Sequence, residues 1–338
     1  MKKAIFLGVQ ENVNAVYSRE IMQALEAELL FPYGAKTFTK AELPACELQD
    51  VCFVFSTWGM CELSEEEIAQ FFPSLECVFY AAGSVQRFVR PFLNKNIHVF
   101  SAWAANAVPV SEYTLAQIIL ASKGYFSRLH PPGSGGVMSR KGQGNEPPEF
   151  PGNYDITVGI IGAGMIGRMV AEKIQRVLEH IRILAFNPFL PAEKAAELGI
   201  ELCDLRTLFE QSDVVTNHLA NNPRTVGMLN GDLFSRMKPN AVFINTGRGT
   251  QVVEGDLIAA LKAVPSRSAL LDVTFPEPPE EGSELYTLKN VFLTPHIAGS
   301  LGNEVHRMGG YMLEEYRRYV QGQSVRYEVT ADMLETMA

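Results

Sequence analysis

Apolar residues in this chain fall into short runs, and between the runs they recur at helical spacing. Up to about Trp103 the strand-like runs cover residues 4–9, 51–56, 77–82 and 98–102. Helical periods lie between them at 18–29, 65–72 and 89–94. Such alternation predicts a parallel, doubly wound sheet with helices on both faces. A long helix is expected next over 110–128, with Ser111 as its cap and Glu112 in its first turn. Residues 130–154 are rich in Gly, Pro and polar residues and lack periodicity, which predicts a long surface loop beginning at His130. From 155 to 299 the alternation resumes, with strand-like runs at 157–161, 181–186, 214–219, 241–246, 269–273 and 291–294. The final stretch, 306–321, reads as an amphipathic helix with Met308, Met312, Tyr316 and Tyr319 on its apolar face. No internal repeat of solenoid period is visible.

Length and charge narrow this picture. At 338 residues the chain is long enough for two domains with separate cores. A net charge of -9 argues against nucleic acid or an anionic membrane as the main partner. The five cysteines form no C-x-x-C pair and read mostly as small core hydrophobes, which fits a reducing compartment. Met1-Lys2-Lys3 leads straight into a strand-like run rather than a cleavable signal. No apolar run is long enough to span a bilayer. A cytoplasmic protein without a metal site is the expectation.

The middle of the chain carries Gly162-Ala163-Gly164-Met165-Ile166-Gly167, a G-x-G-x-x-G spacing. By itself that spacing is weak evidence, since glycine-rich turns are common. Its context is more specific. Residues 157–161 read as a buried strand, and from 165 to 178 the apolar positions follow helical period. A second strand ends at Asn187, twenty residues after Gly167, where a ribose-binding acid is expected. The first glycine permits the tight turn, the second lets backbone approach a pyrophosphate, and the third lets helix pack on strand. The helix N-terminus then offers N–H groups to the phosphates.

Three residues downstream stand at the ends of apolar strands, where doubly wound sheets bind ligands. Arg248, held between Gly247 and Gly249, can aim a rigid cationic fork at a carboxylate. Glu277 lies between Pro276 and Pro278, which limit its loop. His296 follows Pro295 and precedes a small-residue turn, and histidine is the side chain suited to proton exchange near neutrality. Taken singly, Arg248 also reads as a surface arginine, and Glu277 as a solvated loop acid. His98, His180 and His306 read as surface or element-edge residues, while His218 closes a strand and can line a cofactor cleft. Together the three residues suffice to reduce a 2-oxo acid. A protonated imidazole delivers the proton, a neighbouring carboxylate stabilises the imidazolium, and a guanidinium anchors the substrate carboxylate.

The ordered blocks Gly-Ala-Gly-Met-Ile-Gly, Asn-Thr-Gly-Arg-Gly, Asp-Val-Thr-Phe-Pro-Glu-Pro and Thr-Pro-His-Ile-Ala-Gly resemble the D-isomer-specific 2-hydroxyacid dehydrogenase family over roughly residues 110–321. That resemblance implies an NAD(P)-dependent oxidoreductase in which Arg248, Glu277 and His296 are catalytic. Related formate-oxidising enzymes carry Gln where Glu277 stands, which argues against formate as substrate. The implied fold is two doubly wound parallel-sheet domains. A Rossmann cofactor domain over 106–303 is inserted into a split flavodoxin-like substrate domain over 1–105 and 304–338, with a cleft between them. Cofactor contacts are expected at Gly162, Gly164, Met165, Ile166, Gly167, Asn187, His218, Thr246 and Asp272. Substrate contacts are expected at Ala82, Gly83, Arg248 and Trp58, although the loop at 80–84 carries less glycine than the family pattern. Tyr80 and Trp103 are further candidates for pocket walls. The resemblance also implies a homodimer formed through the cofactor domain and the helix over 110–128. Asn187 lacks the charge that repels a 2′-phosphate, so NAD is favoured and NADP stays open. An NADH-sensing binding protein of the co-repressor type, with little turnover, is the competing reading.

Overall fold

The computed structural model describes residues 1–128 and 150–335. His130 and most of the loop expected over 130–154 lie outside the described residues. The chain divides into two compact units, Met1–Ala107 with Ser300–Ala338, and Val108–Gly299.

The first unit alternates β1 (Lys3–Leu7), α1 (Gln10–Val16), α2 (Arg19–Glu28), β2 (Thr37–Phe38), β3 (Val51–Ser56), α3 (Glu65–Phe71), β4 (Cys77–Tyr80), α4 (Val89–Asn94) and β5 (His98–Ser101). All pairings are parallel, in the order β2-β1-β3-β4-β5. That is the flavodoxin-like doubly wound order. Side chains alternate across the pleat. Ile5, Leu7, Val54 and Val78 enter one apolar cluster, while Ala4, Phe6, Phe53, Phe55 and Phe79 enter the other. The second cluster is completed by Met308, Met312 and Tyr316, from the helix Val305–Val320. Local signals set the helix starts. Ser18 caps α2 through Ile21 N–H, and Ser64 and Glu67 form a capping box on α3.

The second unit is built from α6 (Tyr125–Arg128), β6 (Thr157–Ile161), α7 (Met165–Val177), β7 (Arg182–Phe186), α8 (Ala192–Glu197), β8 (Glu201–Leu202), α9 (Leu205–Gln211), β9 (Val214–Asn217), α10 (Gly231–Ser235), β10 (Val242–Asn245), α11 (Glu254–Ala263), β11 (Ser268–Leu271) and β12 (Val291–Leu293). It opens within the preceding helix α5 (Trp103–Ser122), and the helix Val305–Val320 is α12. The sheet order is β12-β11-β10-β9-β6-β7-β8, all parallel. The chain starts at β6, winds outward through β7 and β8, then crosses back to β9. This reversal between β6 and β9 is the switch point where such sheets bind nucleotides, at the carboxyl ends of the strands.

One helix departs from expectation. Instead of starting at Val110 with Ser111 as its cap, α5 begins at Trp103 and stops at Ser122, and residues 125–128 form the separate α6. Ser111 is interior, its hydroxyl donating to the Val108 carbonyl at 2.7 Å. Pro109 lies inside the helix, where it removes one i→i−4 bond without ending it. All five cysteines are free. Cys77 is buried, and the half-buried Cys46, Cys52, Cys61 and Cys203 pack against the core clusters.

Candidate active site

The glycine turn joins β6 to α7. Gly162 has φ +90°, and a Cβ there would come within 2.7 Å of the His218 carbonyl. A Cβ on Gly167 would collide with the Gly162 carbonyl. These two glycines hold the turn and the helix against the sheet. Gly164 differs: it is the N-cap of α7, and a Cβ there would point into open space. Just behind it, the N–H groups of Met165, Ile166 and Gly167 have no intrahelical acceptor. An open, side-chain-free approach to a helix N-terminus is the surface a pyrophosphate requires, so these residues fit a dinucleotide. Asn187 follows β7, and its Oδ1 accepts the Phe189 N–H at 2.9 Å.

Arg248 follows β10. Its guanidinium Nη1 donates to the Gly247 carbonyl at 2.8 Å. Burial lowers its pKa, and the nearby Glu277 charge partly offsets this. The His218 ring lies between two hydroxyls, with Nε2 at 3.0 Å from Thr216 Oγ1 and Nδ1 at 3.4 Å from Thr246 Oγ1. Burial pushes its pKa down to about 3, so the ring is neutral at ordinary pH. Thr246 also stands 3.4 Å from the buried Thr114 hydroxyl on α5.

Glu277 and His296 meet directly, with Oε1 at 2.6 Å from Nδ1. Both side chains are close to half exposed, so the pair faces solvent rather than the core. Beneath them Asp272 is buried, and its carboxylate is fully engaged by the turn that carries the imidazole. It accepts from Thr294 Oγ1 at 2.6 Å, Ile297 N at 2.8 Å and Ala298 N at 2.9 Å. Its backbone carbonyl accepts the His296 N–H at 3.1 Å. The expected cofactor contact at Asp272 therefore lies on a carboxylate already occupied within the protein. Thr294 and Tyr113, whose hydroxyls stand 2.9 Å apart, extend this lattice. Sequence reading passed over both, because a hydroxyl beside a strand end carries no pattern of its own.

Trp58, Ala82 and Gly83 belong to the first unit. The Ala82 N–H is bonded to the Tyr80 carbonyl at 2.9 Å. Ser101 Oγ lies 2.8 Å from the Ala82 carbonyl and 2.7 Å from that of Gly83. Trp58 is 39% exposed, its carbonyl accepting from Asn12 Nδ2 at 2.9 Å. Trp103 is half-buried, edge-on to Tyr327 at 5.8 Å. His98 is paired with Glu328 at 2.6 Å. Among the described residues no cluster of His, Cys, Asp or Glu is arranged to hold a metal, and no helix is long and apolar enough to cross a membrane.

A parallel sheet with a glycine turn at its switch point is the dinucleotide-binding type of α/β fold, and here a carboxylate–imidazole pair stands beyond its strand ends. Residues 134–298 match the family described as D-isomer specific 2-hydroxyacid dehydrogenase, NAD binding domain. Over that segment the chain carries the NAD-binding domain of the D-isomer-specific 2-hydroxyacid dehydrogenase family. It is 29% identical over 272 residues to a D-3-phosphoglycerate dehydrogenase of Archaeoglobus fulgidus, covering 80% of this chain and 50% of that one. With a D-3-phosphoglycerate dehydrogenase of Methanocaldococcus jannaschii it shares 30% identity over 230 residues, 68% of this chain and 42% of the other. The chain thus spans about half the length or less of these curated relatives. In fold it is similar to a phosphoglycerate oxidoreductase from Rhizobium etli, with TM-score 0.76 and 20% identity over 99% of this chain and 100% of that one.

Proposed function

We propose that this protein is an NAD(P)-dependent oxidoreductase that interconverts a small 2-oxo acid and its D-2-hydroxy acid. The observation that carries the reading is the 2.6 Å contact between Glu277 and His296, on a turn clamped by the buried Asp272. When bound, a reduced nicotinamide supplies the hydride. His296 holds the proton for the carbonyl oxygen, and Glu277 stabilises the imidazolium while it waits. Arg248 anchors the substrate carboxylate and polarises the adjacent carbonyl. Gly162, Gly164 and Gly167, with the first turn of α7, hold the pyrophosphate. NAD is the proposed cofactor. Asn187 neither repels a 2′-phosphate nor pairs with one, and Pro188 and Phe189 supply no cation beside it. Discrimination against NADPH is therefore expected to be weak, within about tenfold in kcat/KM, or roughly 1.4 kcal/mol.

The test is a panel of 2-oxo acids mixed with the protein and NADH or NADPH, followed by nicotinamide absorbance. Consumption with at least one acid is expected. Saturable NADH binding with no consumption across the panel would instead favour the sensor reading. We also propose a homodimer through α5, whose surface keeps Leu120 exposed and Leu115 and Ile119 half-buried in the single chain. Light scattering on a sizing column checks it.

A further inference from the structure

The turn that carries Arg248 is built around three neutral carboxamides. Asn217 ends β9, Asn245 ends β10, and Gln251 stands three residues past Arg248; none is more than 1% exposed. Asn217 Nδ2 donates to both Asn245 Oδ1, at 3.0 Å, and Gln251 Oε1, at 2.7 Å. Those same oxygens accept the N–H groups of Gly247, at 3.1 Å, and Arg248, at 3.2 Å. Asn245 Nδ2 donates in turn to the Arg248 carbonyl at 3.3 Å. The remaining side-chain polar atoms are bonded as well. Gln251 Nε2 donates to the Leu219 and Ala220 carbonyls, each at 3.0 Å, and Asn217 Oδ1 accepts from Leu219 N at 3.2 Å. Both backbone polar groups of Arg248 are therefore gripped by side-chain amides.

A buried polar network fully satisfied in this way is rigid, whereas one left half-satisfied is costly. The choice of amides has a further consequence. A carboxylate would accept the Arg248 N–H more strongly, but it would add a buried anion to the nearby Glu277 charge and compete for the guanidinium. Among the described residues Arg248 forms no ion pair, and its guanidinium is engaged by the Gly247 carbonyl, a neutral acceptor. We infer that Asn217, Asn245 and Gln251 are positioning residues that fix the Arg248 turn from behind and leave its charge free for the carboxylate of a 2-oxo acid. The inference rests on the proposed role of Arg248 in binding that carboxylate.

The experiment compares Arg248→Ala, Gln251→Met and Asn217→Ser, using NADH and the 2-oxo acid that turns over fastest. Gln251→Met keeps the side-chain length and deletes all four of its hydrogen bonds, while Asn217→Ser is a milder cut should that variant fail to fold. In the folded variants kcat/KM should fall roughly 10- to 100-fold, mostly through KM, because the fork is misplaced rather than removed. NADH affinity by fluorescence should stay at the wild-type value. A merely structural network would lower the melting temperature and leave KM unchanged. Wild-type KM in the folded variants, with Arg248→Ala inactive, overturns the inference alone. Full activity in Arg248→Ala overturns the role of Arg248 and the inference with it.

Discussion

His296 sits at φ +54°, in a left-handed region that costs a non-glycine residue about 1 kcal/mol or more. That conformation persists because Asp272 takes the two amides that follow and the Thr294 hydroxyl before it. The residues that hold the His296 turn are thus distinct from the glycine turn between β6 and α7. His296→Ala should lower kcat by about 10²- to 10⁴-fold and leave NADH affinity intact, read by stopped-flow absorbance and fluorescence titration. His218 makes a different prediction. Its folded pKa is near 3, whereas an imidazole in the unfolded chain titrates near 6.5. Between those values the unfolded state holds the extra proton, so stability present above pH ~6.5 is lost as pH falls toward 3. The wild type should lose up to about 1.4 kcal/mol more per pH unit than His218→Gln across that window. Urea unfolding of both proteins at several pH values measures the difference, and parallel slopes would show that the ring is solvated.

At the scale of elements, legibility followed periodicity. The central strands of both sheets, such as β3, β4, β9 and β10, could be read because they are buried on both faces and therefore appear as unbroken apolar runs. Two-residue strands such as β2 and β8 are too short to show any period. Helix α5 was misplaced at its start because Pro109 mimics a boundary and its first turns are apolar on several sides, which blurs the helical period. At the site, Arg248, Glu277 and His296 were legible from their places after apolar runs. The amides that hold Arg248 were not: asparagine and glutamine beside a strand end look like ordinary loop, and only packing shows them buried. The glycine turn was the most local of these signals, and its glycines separate by role. Gly167→Ala forces a methyl into the Gly162 carbonyl and should cost about 1–3 kcal/mol of stability in urea unfolding. Gly164→Ala meets nothing in the protein, so the fold should hold while NADH affinity drops. Equal effects of both substitutions on unfolding would remove the reason for calling Gly164 a cradle.

For the whole molecule, the order of segments matters more than any one of them. The second unit is a single continuous stretch, while the first is made of two pieces separated by 192 residues, from Val108 to Gly299. Helix α12 covers the aromatic face of the first sheet, with the Tyr316 ring 5.6 Å from Phe53, 6.1 Å from Phe55 and 5.9 Å from Phe79. Without that helix the face is an exposed apolar surface of the kind that drives association. The second unit has no such dependence, because its two core clusters are drawn from its own residues. A fragment spanning 103–303, which keeps α5 whole, should therefore fold by circular dichroism and raise its melting temperature with NADH, since a ligand bound to the folded state alone stabilises it. A fragment of 1–102 should aggregate, and adding the segment 300–338 in trans should restore a soluble sheet. If 103–303 remains unfolded while 1–102 folds by itself, the insertion is not a separable cofactor unit, and the glycine turn depends on the first unit for its stability.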